Sequence, residues 1–593
     1  MALLFPACLN RADAPQQTST SAAPASPQAS PTPRPTTATT TEPGTPRGGE
    51  AILGAALEPS SLNPFLEETA ADPTLSLIGQ AVWAGVQTIE AETLEFVPEV
   101  VTELPSVENG GLQLNDDGTM TVRYRIRPEA VWEDGSPITG SDFEFTYQTI
   151  INPRNSIRSS LRRAYQAIVP GSLKAEQKSF EYVLADPSLG YEFLFNVILP
   201  RAQVEGSSFA RDWRETMWMA GGPFRFVEWN KGESIVLERN PEYWKEDPST
   251  GDRLPYLEEV EFRFIPDPRE LVVAFKRREV DLINPLPRLD FIEELAALEG
   301  EGADVQVRQG PAWEHLNFQF GGGRFQRNPE SLNQYVEYRR AIAHLVDRSA
   351  IAESILQGSL GPLHSFIDLY WPGASQDAWS RYHHDPRRAR QLLDQLGEEL
   401  GRDFAEEPPR AVFTTTNEPE RVRLAEMLVR MLGEGGIEVT VELEERAVFF
   451  GNSVAEGTWD IGEWAWIARQ GRAGLVRSLQ ELFYLRPPGG LNYYRWSDLG
   501  EPNPDAQRAQ EILAGLDTVV DEQELRSQIL EVERILADQV VIIPLYTEPD
   551  VGVVWADEIV GYQHNPTVAG DTWNIEHWYR PGFERPDLPT GGG

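Results

Sequence analysis

The stretch RAVFTTTNEPERVRLAEMLVRMLGEGGIEVTVELEE (residues 410–445) decides the fold class. RAVFTTTN (410–417) is rich in β-branched and aromatic residues and reads as a short strand. Asn417-Glu-Pro-Glu420 then places a capping residue three positions ahead of an acid, the signature of a helix start, and Gly433 marks the close. IEVTVELEE (437–445) follows as a second strand. Strand, helix and strand together have the length of a right-handed crossover, which predicts α/β architecture.

Elements of both kinds extend outward from this unit. EAILGAALEP (50–59) reads as a strand, TMTVRYRI (119–126) alternates as a half-buried one, and FRFVEWNKGESIVLERN (224–240) reads as a hairpin about Lys231-Gly232. Ser141-Asp-Phe-Glu144 is the capping box expected to open SDFEFTYQTII. Asp134 and Gly135 in WEDGSP supply a turn acceptor and a bend. Asn240-Pro241 is expected to end a strand and begin a short helix, and Asp347-Arg348 to form a local ion pair. No repeat of fixed period is present, which argues against solenoids and propellers.

The chain has one cysteine, Cys8, so neither a disulfide within the chain nor a cysteine zinc site is available. Cys8 follows a short apolar run and precedes a Pro, Ser, Thr and Ala tract (9–48) with too little apolar surface to offset chain ordering. The tract reads as a tether. Phe5-Pro6-Ala7-Cys8 is similar to a bacterial lipoprotein cleavage site, in which the cysteine carries lipid. No later stretch has the run of apolar residues that a membrane helix needs. Asp and Glu number 92 against 52 Lys and Arg, a net charge of −40 that repels nucleic acid and anionic membranes. The sixteen tryptophans are a high count, and surplus indole often lines sites for peptides or sugars while most rings pack in the core.

Several blocks stand in a recognisable order: VWEDGSPITGSDFEFTYQTIINP (131–153), GGPFRFVEWNKGESIVLERNPEYWKED (221–247), YLEEVEFRFIPDPRELVVAFKRREVDLI (256–283), HLNFQF (315–320), YRRAIAHLVDRSAI (338–351), DPRRARQLLDQLG (385–397) and QVVIIPLYTE (539–548). Together they resemble the family 5, large extracytoplasmic solute-binding proteins of ABC importers, a family with oligopeptide, dipeptide, nickel and oligosaccharide binders. The resemblance implies a two-lobed, type II-like periplasmic-binding-protein fold with an extra subdomain in the first lobe. It divides the chain into lobe I (49–82, 219–312 and 543–593), the subdomain (83–218) and lobe II (313–542), with crossings near 312–320 and 540–548. It also implies a monomer without cofactor or metal that delivers a peptide or similar oligomeric solute to importer permease subunits. Through Cys8 such a protein is lipid-anchored outside the cytoplasm, at the cell surface or in the periplasm.

The resemblance implicates Ser61, Asn63, Trp313, Asn317, Trp464, Trp466, Asn492 and Tyr493 in ligand contact. Alternation puts Trp464 and Trp466 on one strand face, with Ile461, Ala465 and Ile467 on the other. Peptide binders of the family carry, beyond an aromatic residue on this strand, an aspartate for the ligand's ammonium. The matching position here is Arg469, which favours a carboxylate, a phosphate or a sugar hydroxyl instead. An oligosaccharide or anionic conjugate is therefore the alternative cargo. A ligand sensor with another membrane partner shares these features. A secreted glycan hydrolase would need paired acids, but Asp460 and Glu463 in TWDIGEWAW (458–466) fall on opposite faces of a strand. The seven histidines show no metal-binding spacing, and His383-His384 reads as surface.

Overall fold

The computed structural model describes residues 48–70, 72–283, 291–484, 491–496 and 503–581. Cys8 and the tract behind it lie outside the described residues. Strand β1 (Glu50–Ala55) opens a large sheet, and the chain then leaves it for the pair β2 (Gln87–Ile89) and β3 (Phe96–Pro98). A separate sheet follows from β4 (Leu112–Leu114), β5 (Met120–Arg125), β6 (Lys174–Ala175) and β7 (Ser179–Leu184). The chain returns through β8 (Phe224–Asn230), β9 (Ser234–Arg239), β10 (Glu259–Phe264), β11 (Leu282–Ile283) and β12 (Ala303–Phe318). Then come β13 (Arg410–Thr416), β14 (Glu438–Glu444), β15 (Ile461–Ile467) and β16 (Ile542–Trp555). The large sheet has the order β14-β13-β15-β12-β16-β11-β1-β10-β9-β8 and the small one β4-β5-β7-β6.

The fold is α/β and two-lobed, with the small sheet forming an additional subdomain. In the first lobe both sheet faces are covered, as parallel strands require. Helix Pro73–Val82 packs Leu75 and Ile78 into one apolar cluster with Leu53 and Phe262. Helix Pro268–Lys276 packs Leu271 and Phe275 into another with Ile283 and Val553. Gly54 allows the second approach, since a Cβ there would stand 2.6 Å from Leu271 Cδ1. In the subdomain, helix Gly140–Ile151 places Phe143 on Phe180 with ring centroids 4.0 Å apart.

The central strand-helix-strand unit forms as its spacing predicts, with β13 parallel to β14 and helix Pro419–Glu434 between them. Its cap differs. Glu418 is the N-cap residue and Asn417 instead donates its side-chain amide to Glu445 at 2.7 Å, because Pro419 with its fixed φ takes the first helical position. The box at Ser141 is likewise displaced: Thr139 is the N-cap and Asp142 accepts from its backbone N–H at 2.9 Å. Asp134 accepts from Ser136 N–H at 2.8 Å and Gly135 takes a left-handed φ, as a turn there demands. Asn240 begins a turn rather than a helix, its Oδ1 accepting from Glu242 N–H. Asp347 and Arg348 do not pair. Asp347 caps helix Arg348–Leu356, and Arg348 donates to the carbonyls of Leu363, Trp379 and Tyr382.

Candidate ligand cleft

Two strands run through both halves of the large sheet. β12 and β16 pair antiparallel from Ala303↔Trp555 to Asn317↔Ile542. In the first half β1, β10 and β11 run toward the middle of this ribbon, and in the second half β13, β14 and β15 run back toward it. The carboxyl ends of both strand sets therefore face one seam, which is where open α/β sheets gather ligands. The ribbon is irregular at the seam, with register shifts between Gln309 and Trp313 and between Glu314 and His315. Gly310 sits in the first irregularity, where a Cβ would meet the Glu548 carbonyl at 2.5 Å. Pro311 turns its carbonyl to the end of β15 and accepts from Ala468 N–H at 2.7 Å.

One wall of the seam is aromatic. Trp466 opposes Trp313 in the β12–β15 register, and Trp464 opposes His315. Trp466 is half-buried, donates its indole N–H to Tyr494 at 2.8 Å and stacks on Tyr493 with centroids 6.2 Å apart. Trp464 is only 1% exposed and packs against Trp459, Phe449 and Tyr494. Trp313 is also buried, stacked on Phe366 at 4.6 Å. Arg469 lies two residues past the end of β15, is exposed, and makes no ion pair among the described residues. Asn492 is half-buried and accepts from Arg495 N–H at 3.1 Å. Asn317 is buried on β12, its amide donating at 3.3 Å to the His315 carbonyl. Ser61 and Asn63 sit apart from these, buried in the loop after β1, where Asn63 donates to the Phe209 carbonyl at 3.0 Å.

The opposite face of these strands carries buried charge that sequence motifs do not reveal. Arg421, near the start of helix Pro419–Glu434, donates to Glu314 of β12 at 2.8 Å and lies 3.6 Å from Glu463 of β15. Thr415 donates its hydroxyl to Glu463 at 2.6 Å. Burial and the neighbouring Glu314 push the Glu463 carboxyl well above the usual range, and Arg421 opposes that shift. Glu548 of β16 stands beside them with an exposed surface, yet protein packed around its carboxyl and the charge of Glu314 push it up to about 7. His315 is buried and uncharged, its pKa lowered to about 3 by desolvation. Strand pairing and the packing of one helix bring these groups together from five separate segments, a relationship with no local spacing to betray it.

Asp460 belongs elsewhere. Its carboxylate accepts from Ser331 at 2.6 Å, Asn328 at 2.8 Å, Asn333 at 3.0 Å and Val412 N–H at 3.0 Å. Those bonds tie the loop after helix Arg324–Arg327 and β13 to the start of β15, so Asp460 and Glu463 serve separate networks and do not face one substrate bond. Across the seam, the subdomain touches the second lobe where Glu192 meets Arg472 at 2.8 Å and the Ala473 N–H at 3.0 Å. Among the described residues no group of three or more His, Cys, Asp or Glu could hold a metal ion, and no helix is long and apolar enough to cross a membrane.

Comparison with known proteins agrees with this geometry. A family model described as bacterial extracellular solute-binding proteins, family 5 Middle, matches residues 95–474. The oligopeptide-binding protein OppA of Bacillus subtilis is 21% identical over 466 residues, 74% of this chain and 79% of that protein. A periplasmic murein tripeptide-binding protein, MppA, in its unliganded open form, superposes with a TM-score of 0.69 at 18% identity, covering 91% of this chain and 99% of the other. The oligopeptide-binding protein AppA of Bacillus subtilis, in complex with a nonapeptide, gives 0.55 at 17% identity, covering 91% and 99%.

Proposed function

This chain belongs to the family 5 bacterial extracellular solute-binding proteins, and from that membership we propose that it captures a peptide or similar oligomeric solute between its lobes and hands it to an ABC importer. Lobe I is read as 49–82, 219–312 and 543–593, the subdomain as 83–218 and lobe II as 313–542. Cys8 carries the lipid that holds a monomeric protein at the outer face of the cell membrane, with 9–48 as its leash. Binding requires no catalysis and no cofactor.

The observation that supports this reading is the pair of crossing strands whose register breaks where all the strand ends converge. A regular ribbon would resist bending at that point, whereas the bulge around Gly310 concentrates flexure between two rigid halves. Ligand then favours the closed arrangement by whatever contacts it makes with both walls at once. Native mass spectrometry of the protein purified without refolding tests the reading, with retained peptides as the expected cargo. Recovery of an oligosaccharide would transfer the same scaffold to the alternative solute class that Arg469 favours.

A further inference from the structure

The first lobe and its subdomain share a cavity of about 410 Å³. Glu99 lines it from just past β3, Lys245 from the turn after β9, and Trp573 and Glu576 from the C-terminal segment, while no residue of 313–542 takes part. Lys245 Nζ lies 2.6 Å from Glu99 Oε2 and 3.1 Å from Glu576 Oε1, so one ammonium serves two carboxylates. The outlying bases do not correct the balance. Arg127 gives its Nε–H to the Glu99 carbonyl but has Glu129 at 3.9 Å, and His577 has Asp247 at 3.8 Å. The cluster is reachable, since the side chains of Lys245 and Glu99 are 21% and 26% exposed.

We propose that this cavity is a second binding site, beyond the solute cleft, for a small alkylammonium ion whose N–H groups donate to Glu99 and Glu576 and whose alkyl body lies on Trp573. An ammonium brings one positive charge and three donors, which restores one-to-one pairing with the carboxylates. The Trp573 ring is held by its indole N–H, which donates to the Gln563 carbonyl at 3.2 Å, and it offers apolar contact and cation–π attraction. The Gln563 side-chain amide has no hydrogen-bond partner among the described residues, so its oxygen is a further acceptor on the wall. A metal ion does not suit the site: among the described residues no group of three or more His, Cys, Asp or Glu could hold one, and Lys245 already stands between the carboxylates. The volume takes about a dozen heavy atoms at roughly the 30 Å³ that a water fills in the liquid, so the ligand is small. The net charge of −40 gathers cations near the whole surface without choosing a place for them, whereas two carboxylates and a ring in one cavity do choose.

Calorimetric titration at low salt with n-butylammonium, 1-butanol and tetramethylammonium tests the assignment. n-Butylammonium should bind at one saturable site. 1-Butanol, without charge, and tetramethylammonium, without N–H donors, should bind roughly tenfold more weakly or worse, the size of one charge-assisted hydrogen bond. Glu99→Gln and Trp573→Leu should each weaken n-butylammonium by a similar factor. Equal affinity for 1-butanol would reveal a merely apolar hollow, and equal affinity for tetramethylammonium a response to charge alone; either overturns the assignment. An affinity unchanged in either variant would place the ion on the acidic surface or in the solute cleft and would overturn it too, as would the lack of saturable binding. If Glu99→Gln does not fold, Trp573→Leu decides, since that ring is only half-buried. Failure here leaves solute capture standing, because no lining residue belongs to the second lobe.

Discussion

The carboxylate of Glu192 accepts from Nε of Arg472 at 2.8 Å and from the N–H of Ala473 at 3.0 Å, so one subdomain side chain caps the first turn of a second-lobe helix, Arg472–Phe483. Gly471 makes room for the contact, with the Phe96 ring 2.2 Å from where a Cβ would lie. Burial raises the Glu192 pKa and Arg472 draws it back. Removing one partner of such a nearly buried pair should cost about 3 kcal/mol, because the other charge is left unpaired. A double-mutant cycle of Glu192→Gln and Arg472→Gln by denaturant unfolding should show coupling of at least about 1 kcal/mol. Strict additivity would mean that the contact carries no energy between the subdomain and the second lobe.

Trp464 and Trp466 are neighbours on one strand face with different surroundings. Trp464→Ala should lower stability by about 3–5 kcal/mol, since it empties a core site. Trp466→Ala should cost less than half of that and should remove the change in tryptophan fluorescence that accompanies binding. Equal stability losses in thermal unfolding would place both rings in the core and leave the wall to Tyr493.

Glu463 predicts a pH dependence. Its folded pKa is raised above that of the unfolded chain, so the folded protein holds a proton that the unfolded chain releases above about pH 4.3. Stability from this group is therefore present at low pH and declines as pH rises above that value. The midpoint of thermal unfolding should fall between pH 5 and pH 8 more steeply in the wild type than in Glu463→Gln. Parallel curves would show that the carboxyl titrates normally.

His564 follows the same linkage with a cation, its stabilisation also lost as pH rises. It is buried, lies 2.8 Å from Asp571 and 3.5 Å from Asp550, and although burial disfavours its charge the two carboxylates outweigh that and raise its pKa. The stabilisation is complete below the ordinary histidine value near 6.5 and is lost as pH rises through the folded value. His564→Gln should therefore cost more stability at pH 5.5 than at pH 9 in urea unfolding, and a cost that does not change with pH would indicate a neutral ring.

Cys8 should incorporate a fatty-acid analogue in the native host, and Cys8→Ser should not. Label on both proteins, or on neither, would remove the basis for the lipid anchor.

Local devices were legible because their causes are local. The hairpin at Lys231-Gly232 forms where a glycine with φ of 78° permits the turn, and the 410–445 unit forms where its period changes. The caps slipped by one or two residues, since Pro419 and Thr139 compete with Asn417 and Ser141 for the same role. Trp464 and Trp466 were placed on one face by alternation, yet alternation does not say that Trp459 and Phe449 would bury the first ring and leave the second half open. The buried charged cluster was illegible altogether. Glu314, Arg421, Glu463 and Glu548 meet only because β12 lies between β15 and β16, an order set by long-range pairing rather than by any short pattern.

The continuous ribbon of β12 and β16 has a mechanical consequence. A loop hinge leaves two bodies free to twist, slide and swing, and a ligand must suppress all of those motions to close them. Two strands laced by cross-strand hydrogen bonds resist sliding and resist bending within their own plane, and yield mainly in the direction perpendicular to it. The bulge at Gly310 selects where along the ribbon that yielding occurs. The lobes are thus left with close to one soft coordinate, like the jaws of a sprung clip, and little orientational entropy remains for the solute to remove.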